Sequence, residues 1–153
     1  AQFMVAQDLE LQQAKRLGFK LLVDYVAAKT PFPMGGAVTT QPYVREKRDV
    51  VLRYVKALAQ ALHYLKTNRE GSIAIISRYA RFQNPEVMGA AFDSARRLYN
   101  EIPAPTTEGF DLVARELAQR NPKLRDFDTS SVVDLQFVRE LEQSGFLKSL
   151  KGN

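Results

Sequence analysis

Acid–base, nucleophilic and metal chemistry draw on a short list of side chains, and this chain holds few of them. It has one histidine, His63, and no cysteine. Thiolate catalysis, disulfides and cysteine-based zinc sites are therefore excluded, as are motifs that need two histidines. His63 lies on the flank of an amphipathic helical run, where a lone histidine reads as a packed or surface residue. No serine stands in a Gly-x-Ser-x-Gly elbow; Gly71-Ser72 falls where a helix should start. Gly35-Gly36 belongs to neither a Gly-x-Gly-x-x-Gly nor a Gly-Lys-[Ser/Thr] phosphate loop, and reads instead as a turn or hinge. Glu140 and Glu142 are two apart on a helix and cannot face each other. Tyr54, Tyr64, Tyr79, Tyr99, Phe82 and Phe92 could be drawn as a platform for stacked bases, but their helical spacing favours core packing. Nothing here assembles an acid–base or nucleophilic constellation, so the expectation is a protein that is not an enzyme and uses no cofactor and no metal.

Charge gives no stronger lead. The 22 basic and 17 acidic residues leave a net charge of +5. The basic pairs Lys15-Arg16, Lys47-Arg48 and Arg96-Arg97 are dispersed, with acids between them, and no run of like charge marks a nucleic-acid arm. Nucleic acid is not expected as a partner. Apolar runs such as Ile73 to Ile76 are far too short to span a bilayer.

The elements that must position any site fall into two styles. Residues 2–6 and 19–24 read as short apolar strands flanking a helix over 8–17 that stops at Gly18. Strand, helix and strand with short joins predict a βαβ unit of a parallel sheet. Two strands do not make a stable sheet, so the rest of it is expected upstream. The two prolines and two glycines of residues 30–36 forbid regular structure, and residues 37–40 read as a short extended piece. From there the pattern is helical. One long helix is expected from near Pro42 to Thr67, and another over 70–80. A third is capped by Asn84 with Pro85 and Glu86 in its first turn, and runs to about Tyr99. A fourth starts at Thr106 or Thr107 and is ended by Pro122. The last opens at Ser130 or Ser131, with Ser131 and Asp134 as a capping box, and ends at Gly145.

Three segments carry a family likeness. Val38-Thr-Thr-Gln-Pro-Tyr-Val-Arg-Glu-Lys-Arg-Asp-Val-Val-Leu-Arg-Tyr-Val-Lys-Ala57 resembles a segment of the solute-binding proteins that serve nitrate-, sulfonate- and taurine-type ABC importers, with Lys47 where asparagine is usual. Ala61-Leu-His-Tyr-Leu-Lys-Thr-Asn-Arg-Glu70 and Val133-Asp-Leu-Gln-Phe-Val-Arg-Glu-Leu-Glu-Gln-Ser-Gly-Phe146 are similar to later segments of the same family, in the same order. The likeness covers residues 1 to about 147.

The resemblance implies an α/β fold, a fragment of the type II periplasmic-binding-protein clamshell with a short βαβ start and a mostly helical C-terminal part. Residues 1–30 would end the second lobe, 31–40 would be the crossover or hinge, 41–147 would complete the first lobe with helices, and 148–153 would be a frayed tail. The ligand, a small anionic, aromatic or heterocyclic solute, would lie between the lobes beyond the strand ends. That makes Ala6, Gln7 and Asp8, after the first strand, and Phe32 and Met34, in the crossover, the implied ligand-binding residues. Implied partners are the solute, an ABC permease and the N-terminal half of the same protein; alone, the half would bind ligand weakly and could dimerise through uncovered apolar surface. The implied location is periplasmic or otherwise extracytoplasmic, including a membrane-anchored form. Two alternatives stand beside this reading: a thiamine-pyrimidine precursor protein of the same superfamily, and a stand-alone basic helical regulator that binds nucleic acid.

Overall fold

The computed structural model describes every residue except 1, 2, 4, 7, 26, 32, 34, 82, 83 and 153, and all side chains of the described residues except those of Asp8 and Leu9. Its regular elements are helical: α1 (Asp8–Arg16), α2 (Gln41–Glu46), α3 (Arg48–Thr67), α4 (Arg69–Ala80), α5 (Pro85–Leu98), α6 (Thr107–Ala118), α7 (Gln136–Gln143) and α8 (Phe146–Lys151), with 3-10 turns at Pro122–Leu124 and Thr129–Val132. No strand occurs among the described residues. The expected α/β class with its βαβ start is therefore corrected to an all-helical fold. The physical reason is that a strand exists only through its ladder to a neighbour. Phe3, Val5, Ala6 and residues 19–24 form no such ladder, and neither do residues 37–40. The helix expected between the first two is present. It closes at Gly18, whose φ of +83° suits glycine. There the Gly18 amide donates to the Lys15 carbonyl at 3.1 Å and the Phe19 amide to that of Ala14 at 3.0 Å.

The chain divides into two compact units. The first comprises residues 1–28 and 61–101, and so holds α1, the end of α3, α4 and α5. Its core is built on α5, where Val87, Met88 and Phe92 are almost wholly buried, together with Ala91 and with Ala14 of α1. Burying each of the three larger side chains stabilises by roughly 1.5–3 kcal/mol. Helix α5 begins as its sequence dictates: the Asn84 Oδ1 accepts from the Val87 amide at 3.1 Å, and Pro85 occupies the first turn. Helix α4 is capped by Asn68, whose Oδ1 accepts from the Gly71 amide at 2.8 Å. It ends at Arg81 in the left-handed region, φ +52°. The Tyr64 hydroxyl lies against the open face of Gly71, where any side chain would collide with it.

The second unit comprises residues 29–60 and 102–153. Thr40 caps α2 by accepting from the Tyr43 amide at 3.3 Å, and Pro42 pre-sets its first turn. Lys47, at φ −124° and ψ 38°, leaves the helical basin, so the single long helix expected here is two, α2 and α3. Helix α7 buries Phe137, Val138 and Leu141, one apolar stripe at helical spacing. Among the described residues of this unit, Ala59 of α3, Gly109 of α6 and Thr129 are also buried. The Thr129 hydroxyl donates to Asp111 Oδ1, which ties the second 3-10 turn to α6.

Three helix boundaries differ from expectation. Helix α6 ends at Ala118, before Pro122, which instead opens a 3-10 turn. The last expected helix starts at Gln136 rather than Ser130 or Ser131. Those serines lie in a 3-10 turn capped by Asp128, and Asp134 accepts from the Gln136 amide at 2.9 Å instead of closing a capping box. Residues 146–151, partly assigned to a frayed tail, form α8 behind Gly145. The aromatic residues divide as well: Phe92 is core, but Tyr54, Tyr64, Tyr79 and Tyr99 are all exposed, and Phe82 lies outside the described residues.

Candidate functional site

The five residues implied by the family likeness are not assembled by the described geometry. Ala6 is half-buried just before α1 and Asp8 is the first residue of α1, but its side chain lies outside the description. Gln7, Phe32 and Met34 lie outside the described residues. Gly35 and Gly36 stand in irregular chain with open space around each, as a turn or hinge allows. His63 is half-buried on α3, and its carbonyl accepts from the Thr67 hydroxyl at 2.9 Å.

What the fold does assemble is a face on the first unit. Arg16, in the last turn of α1, reaches the first turn of α5. There it pairs with Glu86 and donates to Asn84 Oδ1 at 3.3 Å. The contact fixes α1 and α5 as antiparallel, with Ala14 buried at the seam. Along the outer edge of that pair lies an open hollow of about 510 Å³, lined by Gln12 and Lys15 of α1 and by Ala90, Asp93, Arg96 and Arg97 of α5. Asp93 also meets the Arg69 guanidinium at 3.7 Å, and that guanidinium stands 5.6 Å over the Phe92 ring. The Lys66 ammonium donates to the Arg96 carbonyl. Three cationic side chains from two helices thus surround one hollow. Read along the chain, Lys15-Arg16 and Arg96-Arg97 are merely dispersed pairs. Only the packing of α1 on α5 brings them together, and no local pattern announces that. A second hollow, between α4 and the start of α5, is lined by Ile73, Ala74, Ser77, Arg78, Arg81 and Pro85.

In the second unit the charged groups act as fasteners. Arg48 of α3 pairs with Glu140 of α7 and stands 5.3 Å over the Phe137 ring. The hydrogen bond that the Arg48 guanidinium donates to Glu140, and then the Glu140 charge, raise Arg48 above its ordinary pKa. The Lys56 ammonium lies 4.5 Å from the centre of the Phe146 ring. Hydrogen bonds from Ser130, first its hydroxyl and then its amide, hold Asp128 below the usual carboxylate range. These contacts bind helix to helix or cap a turn.

No group of three or more histidine, cysteine, aspartate or glutamate side chains that could hold a metal ion occurs among the described residues. None of the described helices is long and apolar enough to cross a membrane. Set against protein-family models, curated proteins and solved structures, the chain finds no match in any of the three.

Proposed function

We propose that this chain is a solute-binding component of an ABC importer, contributing recognition surface and no chemistry. The observation that carries the reading is the ordered set of three segments, 38–57, 61–70 and 133–146, that resembles the nitrate/sulfonate/taurine-type binding proteins. Two structural features support it. The first of these segments runs from the cap at Thr40 through α2 into α3, and the last runs through α7 to the turn at Gly145, so each spans a helix and its boundary. Furthermore, Leu17, Phe19, Leu21, Leu22, Val23 and Tyr25 form an exposed apolar run. Exposed apolar surface of that kind marks a contact with further protein, a membrane or a ligand, and the transport reading takes further protein as its cover. The solute is a small anion, an organic sulfonate, or an aromatic or heterocyclic molecule, delivered to a permease.

Gene disruption tests this directly. Uptake of radiolabelled taurine, nitrate, bicarbonate, a pyrimidine and an aromatic acid would be compared in disrupted and complemented cells. Loss of uptake of one of them, restored by complementation, is the expected result. Unchanged uptake of all five would overturn the proposal. The nucleic-acid alternative predicts a salt-sensitive gel shift; dispersal of the basic residues over both units disfavours it, since such binders concentrate charge on one recognition element.

A further inference from the structure

We propose that the hollow along the α1–α5 pair binds an oxyanion of the phosphate or sulfate class, held by Lys15, Arg96 and Arg97 with the Gln12 amide as a neutral donor. Basic residues at helix ends are ordinarily explained by the dipole, since a cation near a C-terminus is stabilising. That accounts for Lys15 on α1 and for Arg96 and Arg97 on α5 separately. It does not account for their sharing one hollow, because the two helices are antiparallel and their C-termini point opposite ways. From Ala90 to Arg97 the hollow spans roughly 10 Å of helix, a distance that lysine and arginine side chains cover from both sides.

The charge balance favours an anion. Among the described residues Lys15, Arg96 and Arg97 have no ion pair. Asp93 lines the hollow and opposes an anion, but its carboxylate is engaged by Arg69. A concave surface lined mainly by one sign of charge focuses its field on a counter-ion. Arginine supplies the planar fork that matches oxyanion geometry, and lysine supplies a point charge. The same chemistry serves a free anion or the phosphate of a lipid headgroup. The proposal stands apart from the transport reading and does not depend on it.

The test uses the full chain and two probes. Inorganic phosphate is titrated with amide and guanidinium NMR shifts as readout, and binding is measured to vesicles of phosphatidylglycerol against phosphatidylcholine. The K15Q/R96Q/R97Q variant is compared with R45Q/R78Q/R81Q, which loses the same charge away from the hollow. All six side chains are exposed, so the core is unchanged. The single variant R97Q repeats the measurement with the least perturbation. Saturable phosphate binding, weakened by about tenfold or more in the hollow variants and unchanged in the control, supports a free oxyanion. Binding to phosphatidylglycerol vesicles alone, lost in the hollow variants only, supports a headgroup. Absence of both, or equal loss in the control variant, overturns the proposal.

Discussion

Gly145 is where a single residue decides a junction. It joins α7 to α8 at φ +76°, a conformation that side chains with a Cβ rarely adopt, with nothing packed where a Cβ would stand. Gly145→Ala should destabilise the protein by about 1 kcal/mol through backbone strain alone. Urea unfolding measures this; a neutral or stabilising result would mean that the junction relaxes out of the left-handed region. Asp128 makes a pH-dependent contribution. Its pKa is lowered in the folded state by the Ser130 hydroxyl and amide. The stabilisation is therefore complete above the ordinary carboxylate pKa and is lost as pH falls through the lower, folded value. In Ser130→Ala the Asp128 carboxyl should titrate closer to its ordinary value, as followed by NMR of its side-chain carbon. An unmoved titration would assign the shift to the amide alone.

At the scale of elements, Arg48 holds α3 to α7 by two different forces. Its guanidinium pairs with Glu140, an interaction that salt screens, and stacks on Phe137, which is largely buried. Thermal unfolding should show that R48M lowers the midpoint more than E140Q does, and that the double variant is no worse than R48M. High salt should narrow the gap between wild type and E140Q while leaving part of the R48M loss. Equal losses in the two single variants would remove the stacking contribution from the account. Helix starts were the most legible feature of the sequence. Asn84-Pro85-Glu86 places the start of α5 and Pro42 that of α2, because a helix start is settled within a few residues; the Thr40 cap was not read from the sequence. Ser131 and Asp134 misled for the same reason: Asp128, three residues earlier, offers a competing cap that turns the segment into a 3-10 turn. The strands failed because β-branched and apolar composition shows a capacity for pairing, whereas a ladder needs a neighbour that the pattern cannot supply. The break at Lys47 had no signal of its own, since neither proline nor glycine marks it.

The candidate site was the least legible part. Of the residues implied by family likeness, Ala6, Gln7 and Asp8 rest on lying beyond a strand end, and with no strand among the described residues that rationale no longer selects Ala6 and Asp8. The basic hollow was invisible because its members come from helices far apart in the chain, which meet only in the folded unit, through the buried Ala14 and the contacts of Arg16 with Glu86 and Asn84. At the scale of the whole molecule, the division into two discontinuous units accounts for much of this. Each unit draws on two stretches of chain, so any site within it depends on contacts that no local window contains. The exposed apolar run from Leu17 to Tyr25 is likewise a property of the assembled unit. Read along the chain, residues 19–24 look like a strand and Leu17 like the end of a helix.

The central claim is that the chain serves as the recognition part of an importer. The most direct measurement is fractionation of the source cells, with an antibody to this chain reporting the location and size of the natural polypeptide. The account predicts an extracytoplasmic product, periplasmic or anchored to the outer face of the membrane, that covers the 17–25 run with further protein. A product confined to the cytosol at 17.3 kDa would contradict it.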